Sequence, residues 1–226
     1  MQKYMIKIII GVIVFIAIIY FLSWLFGSGA SLSDYSDATL QTIIPSSKMN
    51  DPSAANYSFS IWIYISDWSG NYGKAKVVFS RDSSKPLVTL GALDNTLTTT
   101  IKLQNGNTQP CVIQNIPIQK WTNIIITVND RALDTYMNGK LVKTCVLPSV
   151  PASPSKTNAS VYLTPSGGFT GHTARFKYWA APINPQEAWN VYKAGPGGNI
   201  ITNFFGLYKL QLNFLKGSET KASITI

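Results

Sequence analysis

The residue types that carry most enzymatic chemistry are scarce in this chain. It has only two glutamates, Glu187 and Glu219, a single histidine, His172, and two cysteines, Cys111 and Cys145. Hydrolysis of a glycosidic bond needs a carboxylate pair roughly 5–10 Å apart, and no E-x-D-x-E cluster exists to supply one. Asp82, Asp94, Asp130 and Asp134 are scattered over turn-like or exposed strand positions. Calcium requires converging oxygen ligands, so no metal site is expected. His172, between Gly171 and Thr173, has no neighbouring Cys or Asp and reads as a hydrogen-bonded structural residue. There is no G-x-S-x-G elbow, and Gly195-Pro-Gly-Gly198 follows a helical pattern instead of opening one, so it is no phosphate loop. Neither a catalytic residue nor a cofactor is expected.

Binding chemistry is better represented. Trp62, Tyr64 and Trp68 form a candidate aromatic platform on which the flat face of a sugar ring would stack. Trp62 lies on a strand, where a place in the core under a loop competes with that role. Trp68 lies in a loop near Gly70 and Gly73 and is the better ligand contact. Lys74, Lys76, Arg81 and Lys85 cluster in one strand–loop region. They read either as a patch for lipid headgroups or an acidic protein face, or as a solvated edge whose lysines discourage sheet-to-sheet pairing. Asn56-Tyr57-Ser58 and Asn158-Ala159-Ser160 match the N-glycosylation sequon. Cys111 and Cys145 flank the segment Trp121–Lys140. A bridge between them closes a loop of about 35 residues and contributes about 3–4 kcal/mol; the alternative is a pair of small buried thiols.

These residues must be positioned by strands. Phe59, Ile61, Ile63 and Ile65 alternate with Ser58, Ser60, Trp62 and Tyr64, a period of two. Lys76–Ser80, Leu87–Leu93 and Leu97–Leu103 follow as short strand-like runs. Asn123–Val128 and Leu133–Met137 flank the turn Asn129–Arg131, and Asn138-Gly139 then predicts a type I′ hairpin into Lys140–Val146. One helix is expected: Asn184 caps it, Pro185 takes the first position, Glu187 completes a capping box and Gly195 ends it. Tyr208–Leu215 and Thr220–Ile226 read as closing strands. The sequence predicts an all-β, antiparallel two-sheet jelly-roll sandwich with one short late helix.

A different kind of segment precedes it. Ile8–Phe26 is an uncharged run of 19 residues, long enough to cross a bilayer as a helix. It exceeds the 7–15 residues usual for the apolar part of a signal peptide, although Ser28-Gly29-Ala30 offers small residues at a cleavage-like spacing. Lys3 and Lys7 precede the run, and Asp34 and Asp37 follow it. The positive-inside rule therefore puts the N-terminus on the cytoplasmic side and the remainder across the membrane. The expected division is a cytoplasmic tip and transmembrane anchor over 1–26, a stalk or lead-in over 27–55, and the jelly roll over 56–226. The two flanking lysines account for two of the nine net positive charges, so most of the excess belongs to the part beyond the span.

The order Tyr57–Trp62, Lys120-Trp121-Thr-Asn-Ile, Thr135–Lys140 with its Y-x-N-G, Gly168–Gly171 and Pro182–Glu187 resembles the laminin G-like branch of the concanavalin A-like lectin/glucanase superfamily. The resemblance implies a jelly roll of two antiparallel sheets. With a membrane anchor in front, the chain is similar to structural membrane proteins of large double-stranded DNA viruses. That resemblance implies a non-enzymatic, single-pass membrane protein, a minor capsid or virion component. Its partners would be the bilayer through residues 8–26 and capsid or other virion proteins, with no nucleic acid. The alternative is a membrane-displayed, lectin-like attachment protein that binds glycans.

Overall fold

A computed structural model of the chain describes residues 31–155 and 159–197 and, as backbone, the strands Gln211–Lys216 and Glu219–Thr225. The apolar run Ile8–Phe26 and the sequon residue Asn158 lie outside the described residues. Among the described residues, no helix is long and apolar enough to cross a membrane. The chain divides into two compact units, of which Ser31–Pro196 is the larger.

Within that unit, twelve strands form two six-stranded sheets, antiparallel throughout. The first runs in the order β1 (Ser36–Asp37), β12 (Gly171–Trp179), β3 (Tyr57–Ile65), β8 (Thr122–Asn129), β9 (Ala132–Met137), β10 (Lys140–Val146). The second runs β2 (Thr42–Ile44), β11 (Val161–Leu163), β4 (Lys76–Arg81), β5 (Leu87–Leu90), β6 (Leu97–Lys102), β7 (Thr108–Ile113). Period-two strands bury one face each, so the two sheets close over a shared core. Phe59, Ile61, Ile63 and Ile65 of β3 enter that core with Val88, Leu90, Leu97 and Ile101 of the facing sheet. Phe59, Phe79 and Phe176 meet there ring to ring at 5.2–5.5 Å. The turn between β9 and β10 has positive φ at Asn138 (52°) and Gly139 (75°), as a type I′ hairpin requires.

The segment expected as a stalk joins the sandwich from Ser31 onward. Leu32 donates its N–H to the Phe176 carbonyl at 2.8 Å. β1 pairs with β12 and β2 with β11, and Ala38, Ile44 and Met49 are core residues. Strands of two and three residues are too short to show a period in sequence, which is why composition alone points to a linker. β13 (Gln211–Lys216) and β14 (Glu219–Thr225), expected as closing strands, pair with one another as a separate two-stranded sheet.

The helix α1 (Pro185–Lys193) carries the full capping box: Glu187 donates its N–H to the Asn184 side chain, and the Glu187 carboxylate accepts from the Asn184 N–H. It lies on the outer face of the first sheet, where Ala188 and Val191 pack with Ile125, Tyr136, Ile183 and Trp179. Buried polar groups anchor the segment leading into it. Ser58 Oγ donates to the Ala181 carbonyl at 2.9 Å, accepts the Ile183 N–H at 3.0 Å and lies 3.0 Å from Thr127 Oγ1. At its other end, the Arg175 guanidinium donates to the Ala194 and Gly195 carbonyls at 2.7 and 2.8 Å, a favourable placement for a cation at a helix C-terminus. Arg175 can reach because it sits in a β-bulge of β12 with φ of 47°.

Candidate functional site

Helix α1 covers the outer face of the first sheet only in part. It reaches Trp62, whose buried indole stacks on Tyr192 at 5.7 Å and 20°. Two residues further along β3, Tyr64 is half-buried. There four rings from four segments close into a circuit. Tyr35 stacks on His172 at 5.0 Å and 28°, and approaches Trp121 edge-on at 6.3 Å. Tyr64 completes it, at 5.6 Å from Trp121 and 6.4 Å from His172. Tyr35 is 64% exposed; Trp121 and His172 are half-buried.

Strand register assembles this circuit. Cross-strand neighbours on one face stand about 4.5–5.5 Å apart, and His172 of β12 pairs directly with Tyr64 of β3. On the other side of β12, Asp37 of β1 pairs with His172, which brings Tyr35 alongside. Gly171 makes the approach possible, because a Cβ there would overlap the Tyr64 carbonyl oxygen. Asp37 accepts the Thr39 N–H at 2.8 Å and its hydroxyl at 2.7 Å. These two bonds hold its carboxyl below the usual carboxylate range, and nearby His172 adds a smaller pull in the same direction. The site is therefore a partly exposed aromatic and imidazole surface with an ionised carboxylate and a hydroxyl at its rim. Such a surface can stack an apolar ring face and hydrogen-bond its edge groups.

The residues singled out in the sequence fall in several places. Tyr64 joins the platform, whereas Trp62 is roofed by α1. Trp68 is half-buried against the core, with Lys76 Nζ 4.9 Å from its ring centroid. Its Nε1 is buried with no hydrogen-bond partner among the described residues. These three aromatics do not form a common surface. The four basic residues do not form a patch either. Lys74 is exposed, while Lys76 and Arg81 are buried. Arg81 lies over Tyr57 at 4.1 Å and Phe59 at 4.9 Å and donates to the Lys85 carbonyl at 2.6 Å. Lys85 is paired with Asp82 at 3.2 Å. The reason is a bulge between Val77 and Phe79. It shifts the alternation of β4 so that both Lys76 and Arg81 point inward.

Cys111 and Cys145 are joined as a disulfide, with their Cα atoms 6.1 Å apart. The bond links β7 and β10, the last strands of the two different sheets. Asn56 accepts the Asp130 N–H at 2.8 Å through its side-chain oxygen, so this sequon residue steadies the β8–β9 turn. Among the described residues, no group of three or more His, Cys, Asp or Glu side chains could hold a metal ion. Sequence reasoning missed Tyr35 and used Trp121 and His172 only as motif and structural residues. No periodicity links positions 35, 64, 121 and 172, and only the strand order brings them together.

A laminin G family model, described as the concanavalin A-like lectin/glucanases superfamily, matches residues 36–191. No curated protein matches the chain. Among solved structures, the ligand-binding domain of botulinum neurotoxin serotype D in complex with N-acetylneuraminic acid superposes with a TM-score of 0.58 at 14% identity. That match covers 74% of this chain and 43% of the neurotoxin chain. The botulinum neurotoxin DC binding domain in complex with rat synaptotagmin II gives a TM-score of 0.53 at 17% identity, covering 68% of this chain and 40% of the other. The same domain in complex with SialylT gives 0.53 at 18% identity, covering 68% and 39%. The chain thus spans less than half the length of these structures, and at such identities the likeness is one of fold.

Proposed function

The chain belongs to the concanavalin A-like lectin/glucanases superfamily, and we propose that it is a non-enzymatic binding module, held at a membrane by Ile8–Phe26, that takes a glycan on the outer face of its first sheet. The observation that carries this reading is the circuit of Tyr35, Tyr64, Trp121 and His172. Its rings are positioned by strand pairing and open to solvent at Tyr35. Solved structures of similar fold include complexes with N-acetylneuraminic acid and SialylT, which is consistent with a sugar as the ligand class. A hydrolytic role is disfavoured because the chain has only ten acidic residues, two of them Glu. A glycan array with the full chain tests the proposal. Binding should fall about tenfold or more in Trp121→Ala and in Tyr35→Ala, and remain in Trp68→Phe. Binding that survives both platform substitutions, or no binding at all, overturns it.

A second reading gives the anchored domain a structural place in the particle of a large DNA virus, between membrane and capsid. The outer face of the second sheet, where Ile43, Tyr162 and Val112 stand exposed, favours it, because exposed apolar side chains suit protein contact. Cryo-microscopy of purified particles separates the two. The structural reading expects the sandwich to bury well over about 1,000 Å² against neighbours; the glycan reading expects the Tyr35 platform to stay open.

A further inference from the structure

The outward positions of the second sheet are unusual for a strongly basic protein. Antiparallel sheets commonly present a polar, charged face to water. Here Ile43 pairs with Tyr162 across β2 and β11, Leu87 with Thr100 across β5 and β6, and Thr98 with Val112 across β6 and β7. Ile43 is 55% exposed, and Tyr162 and Val112 are each 39% exposed. Among the described residues, Lys102 is the one formally charged side chain pointing outward from the six strands, and it lies at the end of β6. The helix α1 packs on the outer face of the first sheet and not on this one.

We propose that this face is a self-association surface through which two copies of the chain pack sheet to sheet about a two-fold axis. The chain carries a net charge of +9, so two copies repel over most of their surfaces. The uncharged face is where they can approach without burying an unpaired ion. An acidic partner drawn by the net charge would find, among the described residues, Lys102 at the end of β6 and Lys143 at the β7 edge, whose Nζ already donates to the Val112 carbonyl at 2.8 Å. A two-fold contact needs only a self-complementary patch, and flat sheets stack about 10 Å apart. Six strands at about 4.8 Å spacing and about five residues in length present about 500 Å² per copy, or about 1,000 Å² in a dimer. That is the lower bound for a specific interface, so the dimer is reversible, and the threonine hydroxyls keep the free face wettable. This association is independent of glycan binding, which uses the other sheet.

Sedimentation equilibrium of the full chain in detergent micelles, from about 1 µM to about 200 µM, tests it. The wild-type chain should pass from monomer to dimer over this range. Raising salt from about 50 mM to about 500 mM should tighten the dimer by screening the repulsion. Thr98→Lys and, independently, Val112→Arg should each weaken association about tenfold or more while keeping a cooperative urea transition. The second variant covers the case in which the first folds poorly. A monomer at every concentration overturns the proposal. So does a dimer unaffected by either variant, which would place the contact in the apolar segment or on the first sheet. A variant that loses monomer stability, in a wild-type chain that never dimerises, would show that another part of the same chain covers the face, and also overturns it.

Discussion

Lys76, Arg81, Arg175 and Lys177 are all buried, and each has a different local solution. Arg81 is enclosed by the rings of Tyr57, Phe59 and Tyr178, at 4.1, 4.9 and 5.6 Å, a cation–π environment whose attraction strengthens when water is excluded. Replacing it with alanine removes those contacts and leaves a void, so Arg81→Ala should lower stability by about 3 kcal/mol in urea titration. Lys177 behaves otherwise. Burial, and secondarily the neighbouring Arg175 charge, lower its pKa to about 8. A lysine with a lowered folded-state pKa is deprotonated more easily in the folded chain than in the unfolded one. Below about pH 8 both states hold the proton, and the full cost of burying the charge is present. Between there and the unfolded value of 10.5, the folded state has released it, so stability rises with pH. The slope approaches about 1.4 kcal/mol per pH unit. Urea midpoints should increase from pH 7.5 to 9.5 in the wild-type chain, and Lys177→Met should flatten that increase. The positions of these cations are plain in the sequence but their burial is not, because bulges in β4 and β12 decide which way the side chains turn.

At the scale of elements, α1 and the β9–β10 hairpin are the most legible parts of the chain. Asn184, Pro185 and Glu187 mark the start of α1 in sequence, and the capping box forms as that spacing predicts. Asn184→Ala should lower stability by about 1 kcal/mol, read as a shift in thermal midpoint. Gly139 has a second role that sequence does not reveal. A Cβ there would stand 2.8 Å from Trp189 Cε3 and 3.0 Å from Tyr192 Cβ. The hairpin turn is therefore also part of the seat of α1. With φ at 75°, Gly139→Ala should cost at least about 1 kcal/mol. It should also disturb the Trp62–Tyr192 stack, seen as a change in near-ultraviolet circular dichroism. The aromatic platform belongs to this scale as well. Tyr64 is legible as an outward strand residue, but its partners come from the residue before β1, from β12 and from the residue before β8, so no local pattern could assemble them.

At the largest scale, the unit Ser31–Pro196 is a sandwich whose two sheets are stapled at one edge. The disulfide joins Cys111 and Cys145 across 34 residues of sequence, and it ties together the terminal strands of both sheets. In the chain-entropy picture it contributes about 3–4 kcal/mol. The double variant Cys111→Ser/Cys145→Ser should lose about that much, and reductant should do the same to the wild-type chain. The urea midpoint under each condition checks this. Such a bond persists in oxidising surroundings.

By itself, the sequence determined the all-β class, the alternating faces of β3, the hairpin at Asn138-Gly139 and the capped helix, because periodicity and turn chemistry act over a few residues. It also determined the scarcity of acids, since composition does not depend on folding. Tertiary structure decided the rest. It drew the lead-in from Ser31 to Met49 into the sandwich, turned Lys76 and Arg81 inward, roofed Trp62 and gathered Tyr35, Tyr64, Trp121 and His172 on one surface. The physical reason is that strand order and register set which distant residues become neighbours, and a single bulge reverses the face a side chain occupies.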